Sequence, residues 1–229
     1  QYEFGRLNIK GVMTSKRKLK ALVEEKHVSG WDDPRMPTVF GLRRRGYTPA
    51  SLRLMAERTG ASKNDIWIDA SVLDGALRED LEGQAGRAMA VIDPLKLKLT
   101  NGSEIVPCRA PVHPQRPELG QREFGFGPEL WIERDDFAEV APKGFFRLFP
   151  GNKVRLKYGY VVECTGCEKD AQGNVTAVLA SVVPDTKSGT PGADAVKVKG
   201  TITWVGAHDA APAEFRLFER LFTEDQPDA

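Results

Sequence analysis

The sequence predicts an α+β chain, a small helical domain followed by an antiparallel β-barrel, and three observations carry that prediction. Apolar residues recur at helical spacing as far as Leu81. From Leu95 onward the apolar period becomes two, with Leu95, Leu97 and Leu99 alternating with Lys96 and Lys98. Turn residues such as Asn101-Gly102 and Gln172-Gly173-Asn174 then separate many short strands, which is the pattern of a barrel.

Taken in order, Gln1 to Lys10 carries Tyr2, Phe4, Leu7 and Ile9 and reads as the end of a strand. Lys16 to Glu25 is expected to be helical, with Leu19, Leu22 and Val23 on one side. Gly30 to Pro37 is stiff, because Pro34 and Pro37 fix φ and restrict the residues before them. Thr48-Pro49 starts a helix with a hydroxyl cap and a first-turn proline, and Gly60 ends it. Asp69 caps the next helix, where Val72, Leu73, Ala76, Leu77 and Leu81 line one face. Residues 107 to 128, rich in Pro and Gly, read as loop. Strands are expected at Leu130 to Ile132, at Phe145 to Phe149, through Val154 to Tyr160, at Val175 to Val183 and at Val196 to Val205. Phe215 to Phe222 fits helix or strand, and strand is preferred because it would extend the sheet.

Composition bounds the function. With 229 residues there is room for one large or two small domains, and 28% charged with 41% hydrophobic residues is ordinary globular composition. Net charge is only +1, so affinity for nucleic acid must come from local basic faces. No apolar run is long enough for a membrane-spanning helix and Gln1-Tyr2-Glu3 does not begin a signal peptide. The odd set Cys108, Cys164 and Cys167 fits a reducing cytoplasm, and one CxxC without a second pair is no zinc site, so no metal ligand is assigned.

Two cationic runs stand out, Lys16-Arg17-Lys18 with Lys20 and Arg43-Arg44-Arg45, on either side of the stiff linker. Ammonium and guanidinium groups on such a frame suit phosphate, although Arg43 to Arg45 also fits a solvated helix end. The segments Thr14-Ser15-Lys16-Arg17-Lys18-Leu19, WDDPRMPT (Trp31 to Thr38), GLRRRGYT (Gly41 to Thr48), REDL (Arg78 to Leu81), RAMAVIDP (Arg87 to Pro94) and VKGTITWV (Val198 to Val205) together resemble the glutaminyl-tRNA synthetases. Thr14-Ser15-Lys16 stands where class I synthetases carry the MSK of the KMSKS loop, with Thr14 replacing the usual Met.

That resemblance implies an internal fragment of a glutamine–tRNA ligase: 1–26 as the end of the catalytic domain with the KMSKS-like loop, 27–86 as a helical tRNA-contacting domain, and 87–229 as a truncated β-barrel anticodon-binding domain. It implies Lys16 as the catalytic cation, with Arg6, Leu7, Thr14, Ser15 and Lys16 around ATP and its Mg2+, and Gln1 near the glutamine side chain. It implies tRNA contacts at Ser62, Lys63, Asn64, Asp65, Ile66, Trp67, Ile68 and Asp69, and anticodon contacts at Arg87, Arg147, Arg155 and Lys157. Simple capping by Ser62 and Asp69 remains an equal reading of the first set. Arg155 and Lys157, two apart on a strand, are expected to share its outer face. The HIGH-type motif and the Rossmann unit that complete adenylation are not in these residues, so the fragment alone is expected to be inactive. Partners implied are glutamine tRNA, ATP and glutamine, acting on a cytoplasmic monomer with no membrane. A glutamyl-type relative and a stand-alone tRNA-binding barrel remain alternatives.

Overall fold

Local signals at helix ends act as the sequence dictates in the computed structural model, which describes residues 3–227. The described residues divide into two units, one running to Ala85 and resuming at Arg216, the other spanning Gly86–Phe215. The first holds β1 (Leu7–Ile9), α1 (Lys16–Glu24), α2 (Val39–Arg45), α3 (Pro49–Thr59), β2 (Ile66–Ile68) and α4 (Ala70–Glu82). Thr48 Oγ1 accepts the Ser51 N–H at 3.0 Å and Asp69 accepts the Ser71 N–H at 2.9 Å, so both expected caps form. Gly46, at φ 103°, closes α2 in the left-handed conformation that suits glycine.

β1 and β2 pair in parallel, with Leu7 opposite Ile66 and Ile9 opposite Ile68. Gly5 lies so close to this junction that a Cβ there would stand 2.3 Å from the Asn64 carbonyl carbon, a distance no side chain tolerates. The unit's apolar cluster is small: Met13, Leu19, Val28 and Met36, with Leu221 and Phe222 packed against it. The stiff linker is held by Asp33, only 2% exposed. Its carboxylate accepts the Ser29 N–H at 3.0 Å, the Arg35 N–H at 3.0 Å and the Arg35 guanidinium at 2.8 and 2.9 Å.

The second unit is built from β3 (Pro94–Leu99), β4 (Val106–Pro111), β5 (Gln121–Phe126), β6 (Glu129–Glu133), β7 (Lys153–Leu156), β8 (Val161–Lys169), β9 (Val175–Val182), β10 (Gly200–Ile202) and β11 (Trp204–Gly206). Seven of these form one sheet in the order β10-β7-β8-β9-β3-β6-β11. Its two ends are consecutive in the chain, separated only by Thr203, so the segment from Gly200 to Gly206 pairs with β7 on one side and β6 on the other and nearly closes a barrel. Leu95, Leu97, Leu130, Ile132, Leu156 and Trp204 fill the interior and are almost wholly buried. Trp204 meets Phe124 and Phe126 at ring centroid distances of 5.5 and 5.3 Å.

Several expectations are corrected. The sheet is mixed rather than antiparallel, because β10 with β7 and β3 with β9 run parallel. Residues 107 to 128 are not loop: β4 and β5 form a separate antiparallel ribbon, where Pro107 and Pro111 are tolerated because each strand of a two-stranded ribbon has an open edge. Phe145 to Phe149 forms no strand, since prolines and glycines flank it, and only Leu148 bridges to Phe137. β7 stops at Leu156, where Tyr158, at φ 62°, turns the chain. Val196 to Val205 gives two short strands instead of one. Phe215 to Phe222 is not a strand, because the closing segment already occupies both ends of the sheet; Leu221 and Phe222 join the helical unit's cluster instead. No described helix is long and apolar enough to cross a membrane.

Candidate nucleic-acid interface

In the helical unit the loop from Lys10 to Ser15 joins β1 to α1. Gly11, buried at φ 70°, lets the chain reverse, and its N–H donates to the Asp225 carbonyl at 2.8 Å. Met13 is the buried anchor. Thr14 and Lys16 are exposed on either side of Ser15, which occupies the N-cap position of α1 without a side-chain hydrogen bond to it. No acidic residue lies in the first turn of α1, which reads Lys16-Arg17-Lys18. Neither the Lys16 nor the Arg17 side chain has a hydrogen bond or ion pair among the described residues. Cations at a helix N-terminus oppose the helix dipole, so this end combines N–H groups that lack a side-chain cap with a basic first turn. An anion resolves both.

Arg6 is placed over this loop. Its N–H donates to Asp65 at 2.6 Å and its guanidinium donates to the Thr14 hydroxyl. Leu7 is half-buried in β1. The structure therefore brings Arg6, Thr14, Ser15 and Lys16 together, with Leu7 behind them. Gln1 lies outside the described residues.

Residues 62–69 are divided between scaffold and surface. The Ser62 carbonyl accepts the Gly5 N–H at 2.6 Å and its hydroxyl accepts the Asn64 N–H at 3.2 Å, so it orders a turn and caps no helix. Asp65 is engaged by Arg6, and Ile66 and Ile68 are half-buried in β2. Asp69 caps α4 and lies 3.5 Å from Arg220, and the cap hydrogen bonds hold its carboxyl below the usual range. Lys63, Asn64 and Trp67 are left exposed. Of the second cationic run, Arg44 pairs with Asp32 at 2.9 Å.

In the barrel unit the four predicted anticodon contacts fall into two sets. Arg87 is half-buried and its main-chain N–H donates to Val112 at 2.7 Å. Arg147 is exposed, donates to the Asp135 carbonyl at 3.0 Å and lies 3.2 Å from the Asp136 carboxylate. Burial pushes that Asp136 carboxyl up, and the Arg147 charge opposes the shift. The other set belongs to the β7–β8 hairpin. Arg155 is covered, with only 15% of its side chain exposed. Lys157 is exposed, its ammonium 5.6 Å from the Tyr158 ring centroid. Because β7 ends between them, strand alternation no longer puts the two on one face.

Sequence reasoning missed a cleft of about 690 Å³ on the barrel, lined by Trp131, Phe124, Arg122, Ile92, Asp209 and Phe215 among others. The Arg122 guanidinium lies 4.8 Å from the Phe124 ring centroid, and its Nε is buried without a hydrogen-bond partner. Arg122, Phe124 and Phe126 alternate in the sequence, a signal hidden by reading that stretch as loop. Cys164 is buried with its Sγ 3.7 Å from the Gly166 carbonyl, and burial pushes its thiol pKa up.

Residues 1–82 match the family described as tRNA synthetases class I (E and Q), catalytic domain. Residues 85–183 match the anti-codon binding domain of the same class, and residues 201–229 match a further anti-codon binding domain of that class. The catalytic-domain match covers residues 1–82, and the described residues up to Ala85 lie in the same unit as α1. The chain is 64% identical, over 231 aligned positions, to a protein named glutamine–tRNA ligase from Ralstonia pickettii, covering 100% of this chain and 40% of that relative. Identity is also 64%, with the same coverage, to a glutamine–tRNA ligase from Cupriavidus taiwanensis. It is 62% over 230 positions to one from Bordetella avium, covering 100% of this chain and 39% of that protein. The chain spans about 40% of the length of the curated relatives it matches.

Proposed function

We propose that the chain, whose segments match catalytic and anti-codon binding domains of the class I (E and Q) tRNA synthetases, is part of a glutamine–tRNA ligase, which uses ATP to attach glutamine to its tRNA. The observation that carries the reading is the start of α1, where Thr14, Ser15 and Lys16 lead into an uncapped, wholly basic turn. A triphosphate supplies the anionic oxygens that suit such an end. In the proposed reaction Lys16 stabilises charge that grows on the phosphates as the amino-acid carboxylate attacks. A preorganised donor of that kind is worth about 3–4 kcal/mol in the transition state. Arg6 holds the Thr14 hydroxyl, and Ser15 and Leu7 shape the nucleotide side. Gln1 is assigned to the glutamine side chain. The loop presents cations and hydroxyls without carboxylates, so it fits phosphate oxygens, with Mg2+ arriving on the triphosphate.

The second part of the reading is tRNA recognition by a cytoplasmic monomer. Lys63, Asn64 and Trp67, within 62–69, supply exposed polar and aromatic groups for the RNA backbone. Arg87, Arg147 and Lys157, with Arg155 behind them, are assigned to the anticodon. Arginine suits base edges because its fork donates two hydrogen bonds at once, whereas Lys157 favours a phosphate or a single acceptor.

Filter binding of this chain to glutamine tRNA and to glutamate tRNA tests the reading. Preference for the former supports it. Preference for glutamate tRNA points to a glutamyl-type relative, equal binding of both to a general RNA-binding barrel, and no binding sinks the RNA part altogether. Arg87→Ala is expected to cost about 1–3 kcal/mol and to relax discrimination at one anticodon base.

A further inference from the structure

We propose that Arg155 is a positioning residue that latches the loop 183–199 against the β7–β8 turn, leaving Lys157 as the cation this hairpin presents to RNA. The inference rests on the tRNA reading above and refines it.

The guanidinium of Arg155 is already spent. One terminal nitrogen donates to the Thr186 carbonyl at 2.8 Å and to the Ser188 hydroxyl at 3.2 Å. The other donates to the Ala193 carbonyl at 2.7 Å and lies 3.6 Å from the Asp194 carboxylate. Thr186 and Ser188 belong to the limb of the loop leaving β9, and Ala193 to the limb returning towards β10. One planar cation therefore ties both limbs together. Two-pronged reading of a base edge needs parallel N–H groups from the same fork, and here those groups serve loop acceptors. Releasing them would orphan carbonyls in a loop already fastened to the hairpin by other bonds. Val161 N–H donates to the Thr186 hydroxyl at 3.0 Å, and the Ser188 N–H and hydroxyl donate to the Gly159 carbonyl at 2.8 and 2.9 Å.

Lys157 has the opposite arrangement. Its main chain is fixed twice: Trp204 Nε1 donates to its carbonyl at 2.9 Å, and its own N–H donates to the Ile202 carbonyl at 3.0 Å. Its ammonium is exposed beside the Tyr158 ring. The latched loop carries Lys187, Lys197 and Lys199 against Asp185 and Asp194, so holding it in place also holds a net basic segment. Arg155 thus acts on RNA through what it positions.

The test compares the unaltered chain with Arg155→Ala, Arg155→Lys and Lys157→Ala, using glutamine tRNA and transcripts altered at each anticodon base. Hydrogen exchange of the 183–199 loop in the free chain is expected to accelerate about tenfold or more in Arg155→Ala, the scale of losing charge-assisted hydrogen bonds, and less in Arg155→Lys. Affinity of Arg155→Ala is expected to fall by a similar factor for every transcript, with discrimination unchanged and partly rescued by Arg155→Lys. Lys157→Ala is expected to leave loop exchange unchanged while weakening tRNA binding. Loop exchange in the unaltered chain should stay slow when tRNA binds. Faster loop exchange on tRNA binding, or loss of discrimination at one base in Arg155→Ala with the loop still protected, overturns the proposal, since either shows the guanidinium turned outward to a base. If the unaltered chain binds no tRNA, the tRNA reading fails, and loop exchange in free Arg155→Ala alone decides the latch.

Discussion

The barrel and the helical unit keep their shapes by different forces. The barrel is organised around contiguous buried apolar side chains, with Trp204 wedged among Phe124 and Phe126. The helical unit has a cluster of four buried apolar residues and relies on polar ties instead. Asp33 gathers Ser29 and Arg35, Tyr47 donates to Asp74, Thr48 donates to Asp80 at 2.5 Å, and Arg58 meets Glu79 at 2.5 Å. Apolar burial is nearly indifferent to pH, whereas ionised ties are not. The comparison teaches where each unit is vulnerable and how exposed cations such as Lys16 and Arg17 can sit in the second: a polar scaffold can hold a charged loop without burying it.

The largest expected effect is in the barrel. Trp204→Ala empties the middle of the interior and removes the hydrogen bond to Lys157, so it is expected to cost about 3–5 kcal/mol, measured by denaturant unfolding with exchange read on the barrel amides. Next comes Asp33→Ala, which strands the Arg35 cation and the Ser29 N–H and is expected to cost about 3 kcal/mol. A barrel less sensitive than the linker would break the comparison.

Acidity sharpens it. The Arg35 guanidinium holds the Asp33 carboxyl well below the usual aspartate value of 3.8. A depressed folded value stabilises above that pH and is lost as pH falls below it, so the linker should loosen from about pH 4 downward. At the other extreme burial, aided by Asp74, pushes the Tyr47 hydroxyl up to about 12. Its contribution is complete below the ordinary value of 10.0 and is lost as pH rises from there towards 12. Exchange in residues 29–47 should therefore quicken at both extremes, with Asp33→Asn abolishing the acid limb and Tyr47→Phe the alkaline one. A single acid limb shared equally by barrel and linker would contradict this.

These differences also explain which features the sequence made legible. The caps at Thr48 and Asp69 could be read because a hydroxyl or carboxylate reaches an N–H two or three residues on, a local event. Phe215 to Phe222 could not, because whether it joins a sheet depends on Gly200 to Gly206 having taken both edges. Gly200 itself is demanded by a distant approach: a Cβ there would stand 1.8 Å from the Phe146 carbonyl oxygen. For the interface, the hydrogen bond from Arg6 to Thr14 joins residues eight apart, which no local spacing rule announces. Nor was the covering of Arg155 legible, because strand spacing tells which face a side chain leaves and says nothing of the loop that covers it.

The smallest stability effects belong to the polar unit's surface. Thr48→Ala removes a helix cap and the bond to Asp80 and is expected to cost about 1 kcal/mol by thermal unfolding. Lys16→Ala should change stability by less than about 0.5 kcal/mol, because its ammonium has no partner among the described residues and sits at the N-terminal end of α1, where positive charge is unfavourable. The same substitution in the intact ligase of which this chain is proposed to be part should slow ATP–pyrophosphate exchange by about 10²–10³-fold, the scale of losing one preorganised charge donor. A side chain that contributes nothing to the fold and much to the rate is positioned for a ligand. If Lys16→Ala instead lowered stability and left exchange unchanged, the basic turn would be part of the scaffold, and the contrast between a charged loop and the polar frame that holds it would fail.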